Sequence, residues 1–394
     1  MRNLILLAFT AIAASAGLPN ASRAGTFTTL YTFSGKSDGG GPGNQIWHGQ
    51  SLYGITGTGD GNVFEFDPAT KKLKVLYAFK GGKDGSEPDS LLFHGGELYG
   101  STYYGGGTSC GGGGCGTVFA FNLKTGVESV LYSLPDPHNG QVAYVGGLTY
   151  LNGALYGITE RGGTHIFGTI FSIDLGSGSE TTLYNFTGGA DGALPNPYLL
   201  LHNGLFYGTT YYGGGNCAKN IECGTLFTFN PATGDEAILH SFTPITDGSA
   251  PYTNLIYHKG LLYGGTVYGG DMSCGRGGCG TAFSVNPTTG AEAVISTFTN
   301  HNQFFNGLTA RGASLYATDS QGVGERTKSY GELVRLDLKT NHRSVIHKFD
   351  NTDGAYPDTP LTYHDGTFYG TTGEGGGNGC YDAKGCGTIF SYVP

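Results

Sequence analysis

The cysteines are the most reactive side chains in this sequence, and their spacing is regular. Eight of them fall into four local pairs, Cys110/Cys115, Cys217/Cys223, Cys274/Cys279 and Cys380/Cys386, each just before a Gly-Thr. Thiolates so placed could bind zinc, but a structural zinc needs ligand pairs that converge on one point. These pairs are dispersed over four separate stretches of chain, so four short-range disulfides are expected instead.

Charged side chains cluster in three other loops: Glu160, Arg161 and His165; Asp319 followed by Glu325 and Arg326; and Glu374. Paired carboxylates can supply the acid and base of glycoside cleavage; the plainer reading is solvated loop charge. Tyr104, Tyr212 and Tyr268 precede Gly-rich loops, and hydroxylated rings suit stacking on sugars or apolar ligands. Packing between neighbouring repeats is the alternative for them. Asp-Gly recurs at Asp84, Asp191, Asp247 and Asp353, with a proline four residues after each aspartate. One carboxylate per loop is too few for a calcium cage, so these read as Asx-type turns. The glycine runs at 105–107 and 111–114 lack the Lys-Ser/Thr ending of a phosphate loop. No cofactor or metal is expected, calcium having no dedicated ligand set.

These residues are positioned by a repeat. The motif Leu/Phe-Tyr-Gly/Ala places its tyrosine at Tyr53, Tyr99, Tyr156, Tyr207, Tyr263, Tyr316 and Tyr369, at intervals of 46 to 57 residues. Each repeat contains four short segments rich in aromatic, β-branched or leucine side chains, bounded by turn formers. Asn203-Gly204 is a two-residue hairpin turn, and Asn-Pro-x-Thr-Gly at Asn230 and Asn286 is another turn signal. Glycine supplies 73 of 394 residues, and tyrosine and phenylalanine supply 26 and 23; many turns between short aromatic strands is an all-β signature.

Four antiparallel strands joined by tight turns make one propeller blade. The seventh repeat ends after its third segment, GTIFSYVP, while the chain after residue 24 begins with GTFTTLYTF, which reads as the missing fourth. The fold expected is therefore a seven-bladed β-propeller over residues 25–394, closed by the N-terminal strand completing the last blade so that no edge stays unpaired. A β-solenoid also repeats, but it does not explain this complementation. The first segment of each repeat ends in histidine at His48, His94, His202, His258 and His364. Recurrence in five repeats points to blade geometry rather than to an active site.

Residues 1–24 carry Arg2, an apolar run from Leu4 to Ala16, and small residues at Ser22 and Ala24. That is the pattern of a Sec-type signal peptide, which implies secretion or a periplasmic location. No later segment is long and apolar enough for a transmembrane helix. Without residues 1–24 the chain keeps 19 basic against 30 acidic side chains, a net charge of −11, which argues against a nucleic-acid partner.

The combination LYGTT, CGT-hydrophobic-F, NPxTG, LYxF and DGxxP resembles the GloVer (Gloeo-Verruco) tandem repeat family of exported bacterial proteins. The likeness covers residues 26–394. It implies the repeat fold and export and supplies no catalytic residues. The function expected is a monomeric, non-enzymatic binding scaffold that takes a carbohydrate or a protein partner at the cysteine-loop face. An extracellular polysaccharide hydrolase or lyase is the alternative, and a structural surface protein the third.

Overall fold

The computed structural model describes residues 25–108, 110–136, 144–215, 223–244, 246–274, 277–298, 306–320, 329–377, 379–380 and 384–394. The expected signal peptide, Cys217 and Glu325 lie outside them. Seven antiparallel sheets form the seven blades. Blade 2 shows the plan: Ser86–His94 is innermost, followed outward by Glu97–Tyr104, Thr117–Asn122 and Val127–Ser133. Turns join the strands within each blade. At the first hairpin of blade 4, Asn203 and Gly204 have φ of 50° and 78°, and two left-handed residues in succession are what a two-residue hairpin needs to match strand twist.

Blade 7 comprises Thr362–His364, Thr367–Thr372 and Thr388–Val393, and its outer strand is Thr26–Thr32 from the other end of the chain. Thr26 pairs with Val393 and Thr32 with Thr388. In every blade the pairing of third and outer strands slips by one residue at the same place, between Val63 and Phe64 in blade 1 and between Leu226 and Phe227 in blade 4. The donated strand carries the same slip, between Thr29 and Tyr31. A β-bulge sharpens local twist, so the N-terminal strand is a true fourth strand of the repeat.

The core is built at that bulge. Phe64, Phe119, Phe171, Phe227, Phe283 and Phe390 are buried there, each paired across the sheet with the glycine of a Tyr-Gly motif. The ring occupies the space a side chain would need: a Cβ on Gly208 would lie 2.4 Å from Cζ of Phe227. Blade 6 alters both partners together, with Ala317 opposite Val334. In several blades the phenylalanine after the outer strand then meets the next blade's ring edge-on, as Phe79 does Phe119 at 5.1 Å and Phe186 does Phe227 at 5.3 Å, whereas blade 2 has Leu134 at that position.

Two further repeated features are structural. Histidines at the ends of the inner strands stack on the next blade, His48 on Phe93 at 3.5 Å, His94 on Tyr150 at 3.4 Å and His202 on Tyr257 at 3.6 Å. The Asp-Gly aspartates tie the loop between blades: Asp84 accepts the Lys80 N–H at 2.8 Å and the Tyr77 hydroxyl at 2.6 Å, and Asp191 binds Thr187 and Tyr184 in the same way. Three disulfides are formed, Cys110–Cys115, Cys274–Cys279 and Cys380–Cys386, and Cys223 is also disulfide-bonded. Such bonds persist in oxidising compartments. Among the described residues no helix is long and apolar enough to cross a membrane.

Candidate functional site at the channel mouth

The start of the inner strand is kinked in blades 2, 4, 5 and 7. Glu87, Leu194, Ala250 and Tyr356 have φ between 50° and 54°, the left-handed region that side chains seldom occupy. A proline follows each of them, fixing the next φ. The kink is held by a backbone bond from the left-handed residue to the preceding blade, as from Glu87 N–H to Asp60 C=O at 3.0 Å and from Tyr356 N–H to Tyr330 C=O at 2.8 Å. The residue after the proline then faces the central channel, and in these four blades it is Asp89, Asn196, Tyr252 and Asp358.

Together with Tyr144, Tyr198 and Asn254 they line a cavity of about 250 Å³ on the axis. Asp89 is half-buried and Asp358 exposed to the channel, with protein on all sides of the cavity they line. Asp89 accepts the Tyr144 hydroxyl at 3.2 Å and the Tyr198 hydroxyl at 3.4 Å. Burial nevertheless dominates and pushes its carboxyl up to about 6. Asp358 is also raised to about 6, by burial first and then by the like charges of Asp89 and Glu374. The phenols of Tyr144 and Tyr198 are raised by burial and by the Asp89 charge, so both remain donors. Inner strands are stitched to the following blade by side-chain bonds to carbonyls: Asn306 donates to Pro357 C=O at 2.9 Å, and Asn196 donates to Tyr252 C=O.

A side groove of about 230 Å³ leaves this cavity between blades 3, 4 and 5, sharing Asn196, Pro197 and Tyr252 with it. Its walls include Glu160, Arg161, Tyr211 and Tyr212. Glu160 is raised by burial, partly offset by Arg161, whose Nε lies 3.9 Å from Oε1 of Glu160. Of each tyrosine pair the first member turns to the channel side: Tyr103 lies 5.4 Å from Tyr144 and Tyr211 lies 6.0 Å from Tyr252, centroid to centroid. The second member lies on the disulfide-loop side, where Tyr104 faces Gly113 and Tyr268 faces Gly277. The segment is fixed by a threonine at the end of the second strand: Thr102 donates to Tyr104 C=O at 2.8 Å and Thr210 to Tyr212 C=O at 2.9 Å.

The other sequence-derived candidates are distributed more widely. Glu374 sits at the mouth close enough to raise Asp358, with Lys384 Nζ at 3.9 Å. His165 is exposed on the blade 3 loop. Asp319 is turned into blade 6, where it pairs with Glu332 at the position of a threonine pair such as Thr210–Thr225. Both are buried, and Arg343 Nη2 reaches them at 3.3 and 3.1 Å. Asp89, Asp358, Tyr144, Tyr198 and Tyr252 are the residues that sequence reasoning missed. For Asp89, Tyr252 and Asp358 the signal lay one residue beyond the prolines already noted; Tyr144 and Tyr198 carry no such mark.

Comparison with known proteins supports the repeat and the fold. The profile of the Gloeobacter/Verrucomicrobia repeat matches residues 21–222, just over half of the sequence. The chain belongs to the Gloeobacter/Verrucomicrobia repeat family. No curated protein matches the sequence. Among solved structures, the extracellular domain of BT4673 from B. thetaiotaomicron is similar with a TM-score of 0.58 at 11% identity, over 93% of this chain and 40% of that one. The chain thus spans well under half the length of that relative. Oligogalacturonate lyase from Vibrio parahaemolyticus is similar with a TM-score of 0.55 at 10% identity, over 94% and 97% of the two chains. A chain of the mitotic checkpoint complex has a TM-score of 0.58 at 13% identity, over 99% of both. At such identities the likeness is one of fold, and propellers carry unrelated activities.

Proposed function

We propose that this member of the family is an exported, non-enzymatic binding propeller that holds a carbohydrate at the channel mouth on its cysteine-loop face. The observation that carries the proposal is the convergence there of Asp89, Asp358, Asn254 and the rings of Tyr198 and Tyr252 around one cavity with a lateral groove. Carboxylates and a carboxamide bind vicinal hydroxyls, and tyrosine rings stack on the apolar faces of sugars while keeping a polar end. Tyr252 is 46% exposed, which leaves its ring open to such a ligand. Glu160, Arg161 and Tyr212 extend the same surface outward and would contact further residues of an oligosaccharide. Disulfide bonding and the N-terminal sequence pattern support a secreted or periplasmic location, and the protein would act as a monomer.

Cleavage is the second reading, favoured by the two carboxyls raised to about 6, since an acid and base near neutrality is what glycoside hydrolysis uses. A glycan-array screen of the mature protein, with product analysis of every glycan it binds, separates the two. Binding without new reducing or unsaturated ends is expected. Cleaved product would replace the binding reading with the enzymatic one, and absence of any glycan binding would refute both.

A further inference from the structure

The junction between blades 4 and 5 departs in one residue from the 1–2 and 3–4 junctions. At the blade 1–2 and 3–4 junctions a tyrosine of the outer strand, Tyr77 or Tyr184, donates to the Asp-Gly aspartate and lies beside a glutamate of the next outer strand, Glu128 or Glu236. At the 4–5 junction the tyrosine is replaced by His240, facing Asp247 and Glu292. One ligand atom from each of the three lies within 4.8 Å of the other two, the one such cluster among the described residues. The histidine Nε2 is 2.8 Å from Oδ2 of Asp247. Oε1 of Glu292 is buried without a hydrogen-bond partner. The second oxygen of Asp247 is held by the Thr243 N–H at 2.7 Å and the Thr246 hydroxyl at 3.2 Å, so the carboxylate is oriented from behind, as supporting groups orient metal ligands.

We infer that His240, Asp247 and Glu292 form a site for a divalent first-row transition metal, with zinc the best fit. Donor atoms around tetrahedral zinc sit about 2.0–2.2 Å from the ion, hence roughly 3.3 Å from one another. Nε2 of His240 and Oδ2 of Asp247 already lie 2.8 Å apart, and a Glu292 oxygen lies within 4.8 Å of both. An imidazole with two carboxylates selects against calcium and magnesium, which take all-oxygen sets. Three protein ligands leave a coordination position for water or a donor from outside. His240 and Glu292 lie on outer strands and Asp247 on the loop between blades, whereas the channel is lined at the inner strands, so the site is independent of the carbohydrate proposal. Its counterpart at the 6–7 junction is incomplete: His347 faces Asp353 at 2.6 Å, but its other neighbour is Phe27, stacked at 3.6 Å.

The test is calorimetric titration of zinc chloride, then calcium chloride, into the chelator-treated, oxidised mature protein. The variants are His240→Tyr, which restores the residue that four other outer strands carry at this position, and His347→Tyr as a control. One equivalent of zinc should bind with no comparable calcium binding. His240→Tyr should weaken zinc at least about 10- to 100-fold, the usual effect of losing metal-site geometry, while folding normally by thermal melt. His347→Tyr should leave binding unchanged. Zinc affinity weaker than about 100 µM in the parent, or equal affinity in His240→Tyr, would overturn the assignment.

Discussion

Replacing Gly208 by alanine tests the packing rule on which the blades are built. The backbone at Gly208 does not require a left-handed φ, so the cost is steric alone. An added Cβ would lie 2.4, 2.8 and 3.1 Å from three atoms of the Phe227 ring, which is buried against Phe186 and cannot retreat. Overpacking of this kind costs about 1–3 kcal/mol. Phe227→Val alone should cost about 2–4 kcal/mol, between the values for small and complete truncation of a core side chain. The double variant recreates the Ala317–Val334 pair of blade 6. The alanine methyl then fills part of the space the ring vacates, and the two costs should fall short of their sum by about 1–3 kcal/mol. Urea unfolding of the four proteins, monitored by circular dichroism and compared through midpoint and slope, gives the cycle directly. Strictly additive costs, or a Gly208→Ala variant as stable as the parent, would refute the reasoning.

The other predictions concern closure, the disulfides and the channel carboxyls. Deleting residues 25–33 removes the outer strand of blade 7 with buried Phe33 and exposes the edge of Thr388–Val393. The truncated protein should aggregate on size-exclusion chromatography, and a soluble monomer of native stability would contradict the closure. Oxidised mature protein should show no thiol by Ellman titration, and peptide mapping should link Cys217 to Cys223. Reduction should lower stability by about 2 kcal/mol for each short loop opened. For Asp89 and Asp358, raised to about 6 from a usual value of 3.8, the folded state binds more protons than the unfolded chain between those values. Their contribution therefore makes stability fall as pH rises from about 4 to 6 and stay level above. Asp89→Asn with Asp358→Asn should remove that slope and raise the melting temperature at pH 7; an unchanged pH profile would contradict the raised carboxyls.

The architecture was legible because every blade repeats the same local chemistry. The Tyr-Gly motif marks the second strand since only glycine fits beneath the third-strand phenylalanine, and the incomplete seventh repeat required the N-terminal strand. The Asp-Gly positions were also readable as loop-building, each carboxylate accepting a backbone N–H three or four residues earlier. The site was less so. The charged loops read from the sequence hold Glu160, Arg161 and Glu374, which do reach the mouth. Asp89 and Asp358 are hidden in the sequence because they sit inside a repeated motif, one step after its proline. Their significance comes from the ring closing, which brings positions 269 residues apart in sequence, as Asp89 and Asp358 are, to one axis. Asp319 looked like a loop charge, and only the register of the second and third strands, which sets it opposite Glu332, places it within the blade.

The central claim, that the channel mouth binds carbohydrate, is tested most directly by titrating the best glycan from the array into parent and Asp89→Asn/Asp358→Asn proteins at pH 7. That variant is expected to be at least as stable as the parent, so lost binding will not reflect misfolding. The account predicts at least about 10-fold weaker binding, the loss of hydrogen bonds to charged groups being worth about 1.5–3 kcal/mol each. Equal affinity in the two proteins would place the ligand elsewhere on the propeller and contradict the account.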